Sequence, residues 1–210
     1  MAAKTPNDVK SEIEEEFGHG NLSIIAVVAW INQFLGDAAP FLRHEAMATV
    51  VLTAGKTEYT SSDGVPTDIY ELVGARYWDI TDDEPEYELL PPAKLGDFAQ
   101  PGVMYFGGKL YVQELDHGTG DKLYLYYFRN PVKSSSTAPD TPIDVPELFD
   151  YLPTLYGCAR HQKSWLQDLD SARSYENDYL AGRNLLDMTR RQQVEVWLRH
   201  MPPVPPPALP

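Results

Sequence analysis

The sequence predicts an α+β protein in which a small sheet is carried on helices. Apolar strands flank Gly107 and Gly108 within residues 103–112, and a glycine pair supplies the positive φ angles that a two-residue hairpin turn needs. Helical patterns precede these strands, and a long helical run from about residue 144 to about residue 200 follows them. A block of strands between blocks of helices is typical of the α+β class.

Two helices are expected before the strands. Residues 8–17 carry apolar side chains at every fourth position, and glycines follow them. A second helix, 23–35, begins with a serine cap and has a broad apolar face, and Gly36 and Pro40 are expected to stop it. Its apolar stretch is shorter than the roughly 20 residues that a membrane-spanning helix needs.

Further strands are expected at 46–53, 69–73 and 87–90, separated by turn-forming residues. A last strand at 122–128 is expected to close a second hairpin whose tip is 116–121. Two aspartates frame glycines in that tip, but calcium takes roughly six to eight oxygen ligands, more than this loop offers. A plain, flexible hairpin tip is therefore preferred to a calcium site.

The C-terminal third predicts a polar connector and two helices. The connector leads to a helix start at Asp144, and Pro153 is expected to bend that helix or delay its regular part. A final helix from about residue 170 to about His200 would be about 45 Å long at about 1.5 Å per residue. The proline-rich residues 201–210 are expected to form an extended polyproline segment.

The chain is strongly acidic, with a net charge of −14 and an isoelectric point near 4.6. Residues 58–97 concentrate this charge, since they hold eleven acids and two bases. Proteins that grip nucleic acid cluster Lys and Arg against the phosphates, so a DNA-gripping surface is not expected. The N-terminus shows no apolar signal region, and the single cysteine favours a reducing compartment.

No catalytic, metal-binding or cofactor-binding residues are predicted. Acid runs at 14–16 and 82–84 could serve a glycosidase, but a general acid needs burial and these runs have few apolar neighbours. Cys158 and His161 lie one helical turn apart, without an orienting Asn or Asp or an oxyanion loop. The histidines lack zinc-binding spacing, and phosphate-binding glycine motifs are absent from the sequence.

Five segments, taken in order, carry a family resemblance. They are 85–90, the glycine hairpin 105–112, 123–127, 140–147, and the helical junction 167–175. This order resembles the head-to-tail adaptor proteins of tailed bacteriophages, also called head-completion or connector proteins. The departures are the absence of a proline after the hairpin, a proline within a helix and the proline-rich C-terminal extension.

The resemblance implies a helical bundle with a long C-terminal helix and an inserted small antiparallel β-subdomain. The domains would be N-terminal helices at 1–45, the β-subdomain at 46–131, a polar connector at 132–143, C-terminal helices at 144–200 and a tail at 201–210. It further implies a virion structural protein without enzymatic activity, assembled in the host cytoplasm and placed in the neck between portal and tail.

Such proteins form a ring, typically of twelve copies, that docks under the portal, extends the DNA channel and carries the tail platform. DNA would then be cargo, and an acidic channel wall would repel its phosphates. The portal and tail or tail-adaptor proteins are the expected partners, and no membrane is expected. The candidate portal contacts are Arg190, Arg191, Trp197, Leu198, Arg199, Met201, Pro202, Pro203, Val204, Pro205 and Leu209. The alternatives are a tail-completion or terminator protein and a particle-associated cell-wall hydrolase.

Overall fold

The computed structural model describes residues 3–18, 20–81, 88–90, 102–113 and 115–199, with the backbone alone at 88–90 and 195–199. Contacts divide the chain into two compact units. Among the described residues, the helical unit combines those of 3–43 with those of 131–199, and the β unit comprises those of 44–130. Helices and small antiparallel sheets together confirm the predicted α+β class.

The described part of the helical unit contains four α-helices. They are α1 (Pro6–Phe17), α2 (Ile24–Leu42), α3 (Leu152–His161) and α4 (Leu169–Arg199). Helix α1 begins with a capping box, in which the Asp8 carboxylate accepts from the Thr5 backbone N–H at 2.8 Å. It ends at Gly18, whose φ of 64° is a left-handed conformation that glycine adopts without strain.

Helix α2 is longer than predicted, because it continues past Gly36 and Pro40 to Leu42. The apolar face also continues, and Ala38 and Leu42 are fully buried. A proline inside a helix loses a backbone hydrogen bond and crowds the carbonyl four residues before it, at a cost of about 3 kcal/mol. Burying Leu42 contributes about 2 kcal/mol, and the buried methyl groups of Ala38 and Ala39 add about 0.8 kcal/mol each. Packing of the last turn therefore outweighs the helix-stopping residues.

The 19 residues of α2 are long and apolar enough to cross a bilayer, with a mean hydropathy of 1.4. Nine of them are buried, however, and seven of these pack with residues of α1, α3 and α4 in one hydrophobic core. Within this core Phe34, Tyr156 and Tyr179 meet at ring-centroid distances of 5.2–6.1 Å. The composition of α2 is thus that of a central core helix.

The approach to α3 differs from the predicted helix start at Asp144. A single 3₁₀ turn at Glu147–Phe149 comes first, and α3 begins at Leu152 with Pro153 in its first turn, which confirms the delay. The carboxylate of Asp144 accepts from the Val132 backbone N–H at 2.7 Å instead of capping a helix. After α3, a π-helical turn at Gln162–Leu166 leads to α4.

The β unit holds two antiparallel sheets that share a core. The four-stranded sheet has the order β1 (His44–Val51), β7 (Lys122–Arg129), β3 (Ile69–Trp78), β4 (Glu88–Leu90). The three-stranded sheet has the order β2 (Glu58–Tyr59), β6 (Lys109–Gln113), β5 (Gly102–Phe106). The predicted hairpin is confirmed as β5 and β6, and Gly107 and Gly108 have φ of 60° and 79° at its turn.

The predicted second hairpin is wrong, because β7 pairs with β1 and β3. Six consecutive residues of β7, from Leu123 to Phe128, are buried. A strand buried on both faces suits a central position with a neighbour on each edge, rather than the outer position of a hairpin.

The loop before β7 is also more ordered than a flexible tip. Asp121 is 2% exposed, and its carboxylate accepts from the Tyr77 hydroxyl and the Gly118 N–H, each at 2.6 Å, and from the Ile80 N–H at 3.3 Å. Burial acts to raise the pKa of Asp121, but these hydrogen bonds outweigh it and the pKa is lowered. The carboxylate is therefore engaged by protein donors, which argues against a calcium ligand.

Candidate docking surfaces on the helical unit

Helix α4 is the framework for the predicted partner-binding residues. Asp168 precedes it and accepts from the Ser171 hydroxyl at 2.7 Å and from the Ser171 N–H at 3.1 Å. These hydrogen bonds lower the pKa of Asp168 and satisfy donors at the helix start. Buried residues recur about every second turn along α4, at Ala172, Tyr179, Leu186 and Val194. Such a narrow stripe leaves the rest of the helix surface for other contacts.

Arg190 lies where α4 meets the end of α2. Its Nε donates to the carbonyl of Leu42 at 2.8 Å, a second nitrogen donates to the carbonyl of Arg43, and a third donates to the Gln193 side chain at 2.6 Å. The last carbonyls of a helix lack partners within the helix. Arg190 thus caps α2, and its guanidinium is used inside the helical unit.

Arg191 is more accessible, with 63% of its side chain exposed. It forms an ion pair with Asp187 at 2.9 Å, and hydrogen bonding to that carboxylate raises the pKa of Arg191. Asp187 also lies 3.4 Å from the Arg43 guanidinium. The pair therefore presents a cation at the surface while Asp187 ties α4 to the end of α2.

The remaining predicted contacts lie at the end of the chain. Trp197, Leu198 and Arg199 occupy the last turn of α4, where the structure describes the backbone. Met201, Pro202, Pro203, Val204, Pro205 and Leu209 lie outside the described residues. The helix brings the first three together at one end, while Arg190 and Arg191 lie about two turns before them.

Sequence reasoning missed an exposed apolar strip on α4. Leu185 and Met188 are 53% and 63% exposed and lie three positions apart, so they share one face of the helix. The signal was present as the Leu185-Leu186 pair, because adjacent helical residues point in different directions and Leu186 is fully buried. Large exposed apolar residues that share a helix face are typical of a contact surface.

A second missed feature is a cleft of about 390 Å³ at the turn between α3 and α4, which we call the junction cleft. Its walls include Gly18, Asn21, Leu22, His161, Trp165 and Leu166. The rings of Phe17, His161 and Trp165 stack in series, with centroid distances of 4.9 and 5.6 Å. Trp165 is 56% exposed, so an aromatic face is open at this cleft.

Two of the residues considered for catalysis, Cys158 and Glu14, lack the properties that catalysis needs. Cys158 is 3% exposed, and burial raises the pKa of its thiol to about 12, so it stays protonated at neutral pH. Glu14 accepts from the Leu22 N–H at 2.8 Å and from Lys10, and these bonds lower its pKa, whereas a general acid requires a raised one. The acids at 82–84 lie outside the described residues.

Acidic side chains in the described part of the β unit are partly neutralised. Asp63 pairs with Lys56 at 2.5 Å and Glu58 with Lys109 at 2.6 Å. Among the residues that the structure describes, no group of three or more His, Cys, Asp and Glu could hold a metal ion.

Comparison with known protein families identifies the family to which the chain belongs. The model of the SU10 adaptor protein family matches residues 5–204. Comparison with curated proteins gives no match. The family match spans both compact units and nearly the whole sequence. The chain therefore belongs to the SU10 adaptor protein family.

Proposed function

We propose that this protein forms a ring under the portal of the filled capsid, where it extends the DNA channel and provides the platform for tail attachment. Family membership indicates a bacteriophage adaptor, a structural component of the virion at the junction of head and tail. The ring, its copy number of twelve and its non-enzymatic role are our proposals beyond that membership.

The exposed strip of Leu185 and Met188 on α4 carries the proposal of self-association. One side of α4 packs in the core of the helical unit, while this strip exposes two large apolar side chains by more than half. Covering them in a subunit contact would remove apolar surface from water, at about 25 cal/mol per Å². A repeated contact of this kind closes into a ring if the rotation between copies permits it.

The acidic balance supports a role in DNA passage. Twelve copies of a chain with a net charge of −14 would carry −168. A channel wall formed by part of that charge would repel DNA phosphates and reduce sticking during packaging and ejection. DNA is cargo in this proposal, since cations such as Lys56 and Lys109 are paired with acids.

The C-terminal end of α4 is our proposed contact with the portal. It combines the exposed cation Arg191 with Trp197, Leu198 and Arg199 in the last turn. Aromatic residues and arginines dominate the energetics of many protein interfaces. Contacts with tail proteins are proposed for the ring as a whole.

The test is the assembly state of a Leu185→Glu, Met188→Glu variant, with and without purified portal rings. We expect it to remain monomeric under conditions in which the original chain forms rings on the portal, as seen by electron microscopy and mass measurement. The matched control is Ser174→Glu, Asn177→Glu, which adds two charges at exposed polar positions of the same helix, two or more turns from Leu185. Normal rings from the Leu185 and Met188 variant would contradict the proposed subunit contact.

A further inference from the structure

The junction cleft has large apolar side chains in its lining that are exposed to solvent. Trp165 and Leu166 are 56% and 46% exposed at its mouth, while Leu22, 5% exposed, lies in its wall. The π-helical turn Gln162–Leu166, closed by Gln167 at φ 55°, sets the backbone from which both exposed side chains extend. The His161 ring contacts the Trp165 indole in a tilted arrangement, with a centroid distance of 5.6 Å and an interplanar angle of 39°.

The cleft suits a proline-rich ligand. Grooves that offer an exposed aromatic face bind polyproline segments, because such segments are already extended and lose little conformational entropy on binding. The sequence itself contains one, Met201–Pro210, with six prolines and the apolar residues Val204 and Leu209.

A chain cannot place this segment in its own cleft. The cleft adjoins the start of α4, and the 31 residues of α4 separate it from the proline-rich segment by about 45 Å. A polyproline segment advances about 3.1 Å per residue, so the ten residues that follow Arg199 could carry Leu209 at most about 31 Å from it. Val204 and Leu209 therefore fall short of the cleft at the other end of the same helix.

We propose that the junction cleft binds the proline-rich segment of a neighbouring copy of this chain. The contact joins two different surfaces, one at each end of α4, so every copy would offer one cleft and one segment. A contact of this heterologous kind repeats from copy to copy and closes into a ring when the rotation permits. The inference rests on the proposed ring and names one contact within it, leaving the end of α4 for the portal.

The first test is a titration of a synthetic Met201–Pro210 peptide into the full-length Val204→Asp, Leu209→Asp variant, whose own segment is impaired. We expect calorimetry to show one peptide bound per chain. Adding Trp165→Ala should weaken binding by about thirtyfold, the scale of an interface hot-spot tryptophan. The control Leu148→Ala changes an exposed leucine that does not line the cleft and should leave peptide affinity unchanged. No peptide binding, or binding unaffected by Trp165→Ala, would overturn the proposal.

The second test mixes two full-length variants that lack opposite halves of the contact. Without portal rings present, the Trp165→Ala variant and the Val204→Asp, Leu209→Asp variant should each remain monomeric, because each lacks one half of the contact. An equimolar mixture of the two should form a 1:1 pair in sedimentation velocity. Circular dichroism of each variant checks that it is folded. If the segment variant associates normally but fails to bind portal rings, the segment contacts the portal, and the cleft proposal is overturned while the proposed function stands. If both variants form rings on the portal, the cleft proposal is overturned and the proposed function stands.

Discussion

The two units of the protein differ in the arrangement of their buried polar groups and their exposed apolar side chains. In the β unit, the loop before β7 turns inward, and buried Asp121 and His117 bond to neighbouring hydroxyl and backbone groups. In the helical unit, Trp165, Leu185 and Met188 are more than half exposed, and Leu185 and Met188 share one helix face. The exposed Val51 and Phe106 of the β unit lie on strands of different sheets. The contrast indicates that the β unit depends mainly on its own buried network, whereas the helical unit offers surfaces for other chains.

The largest effect on stability is expected from Asp121→Ala, which would remove the shared acceptor of the buried hydrogen-bond network in the β unit. It leaves the Tyr77 hydroxyl and the Gly118 and Ile80 N–H groups without their acceptor. Each buried donor left unsatisfied costs about 1–3 kcal/mol, so we expect a loss of about 3 kcal/mol or more. Hydrogen exchange read by mass spectrometry should show faster exchange within His44–Asn130 and little change in the helices.

Asp116 provides the control for that variant, because it lies in the same loop and is exposed. Asp116→Ala should change the free energy of unfolding by less than about 0.5 kcal/mol. Equal effects of the two substitutions would contradict a role for the buried network.

The next effect concerns close packing of helices α1 and α3. A Cβ added at Gly157 would lie 2.6 Å from Cδ1 of Ile13, which is fully buried. Overpacking costs about 1–3 kcal/mol, partly offset by the better helix propensity of alanine, so Gly157→Ala should destabilise by about 1–2 kcal/mol. Gly36→Ala is the matched control, since its Cβ meets nothing within 4 Å, and it should stabilise by about 1 kcal/mol. Urea unfolding measures the free energy of unfolding of both variants. Relative to the original chain, it should fall for Gly157→Ala and rise for Gly36→Ala, and changes of the same sign would contradict the packing argument.

Arg190→Ala is expected to lower the free energy of unfolding by a similar or smaller amount. It removes the cap from the carbonyls of Leu42 and Arg43 and should cost about 1–2 kcal/mol. Arg173→Ala, which removes a largely exposed arginine of the same helix, should stay within about 0.5 kcal/mol. If Arg190→Ala keeps full stability by thermal unfolding but loses portal binding, the arginine acts in recognition rather than in capping.

The smallest effect is a pH dependence of the β unit. Because the pKa of Asp121 is lowered in the folded state, its stabilising contribution is present above the ordinary aspartate value of about 3.9 and is lost as pH falls through the lowered value. The stability gap between the original chain and Asp121→Asn should therefore narrow below about pH 4. Urea midpoints at pH 7, 5, 4 and 3 measure that gap. A stability difference between the two proteins that grows as the pH falls would contradict a lowered pKa of Asp121.

The sequence correctly predicted the elements whose structure depends mainly on residues close to one another in the chain. Gly107-Gly108 predicted the hairpin turn, and the polar and apolar spacing of residues 170–200 predicted α4. The extension of α2 and the central place of β7 depend on partners distant in the sequence, so local stop signals and chain order misplaced them. The domain boundaries and the partner contacts stay predictions.

Of the candidate site, the sequence predicted the residues but not their surroundings. Arg190 was expected at a partner surface, and its bonds to the end of α2 come from contacts about 150 positions away. The junction cleft escaped notice because Gly18 and Leu22, in the loop between α1 and α2, are distant in sequence from Trp165, and only the fold brings the two segments together.

The sealed position of Cys158 has a practical consequence for following assembly. It is the only cysteine in the sequence, and a buried thiol that stays protonated reacts slowly with alkylating dyes and oxidants. A cysteine introduced at Asn177 or Asn184 would then be the single fast-reacting thiol of the chain. Dye pairs attached there could report subunit spacing without first removing the native residue.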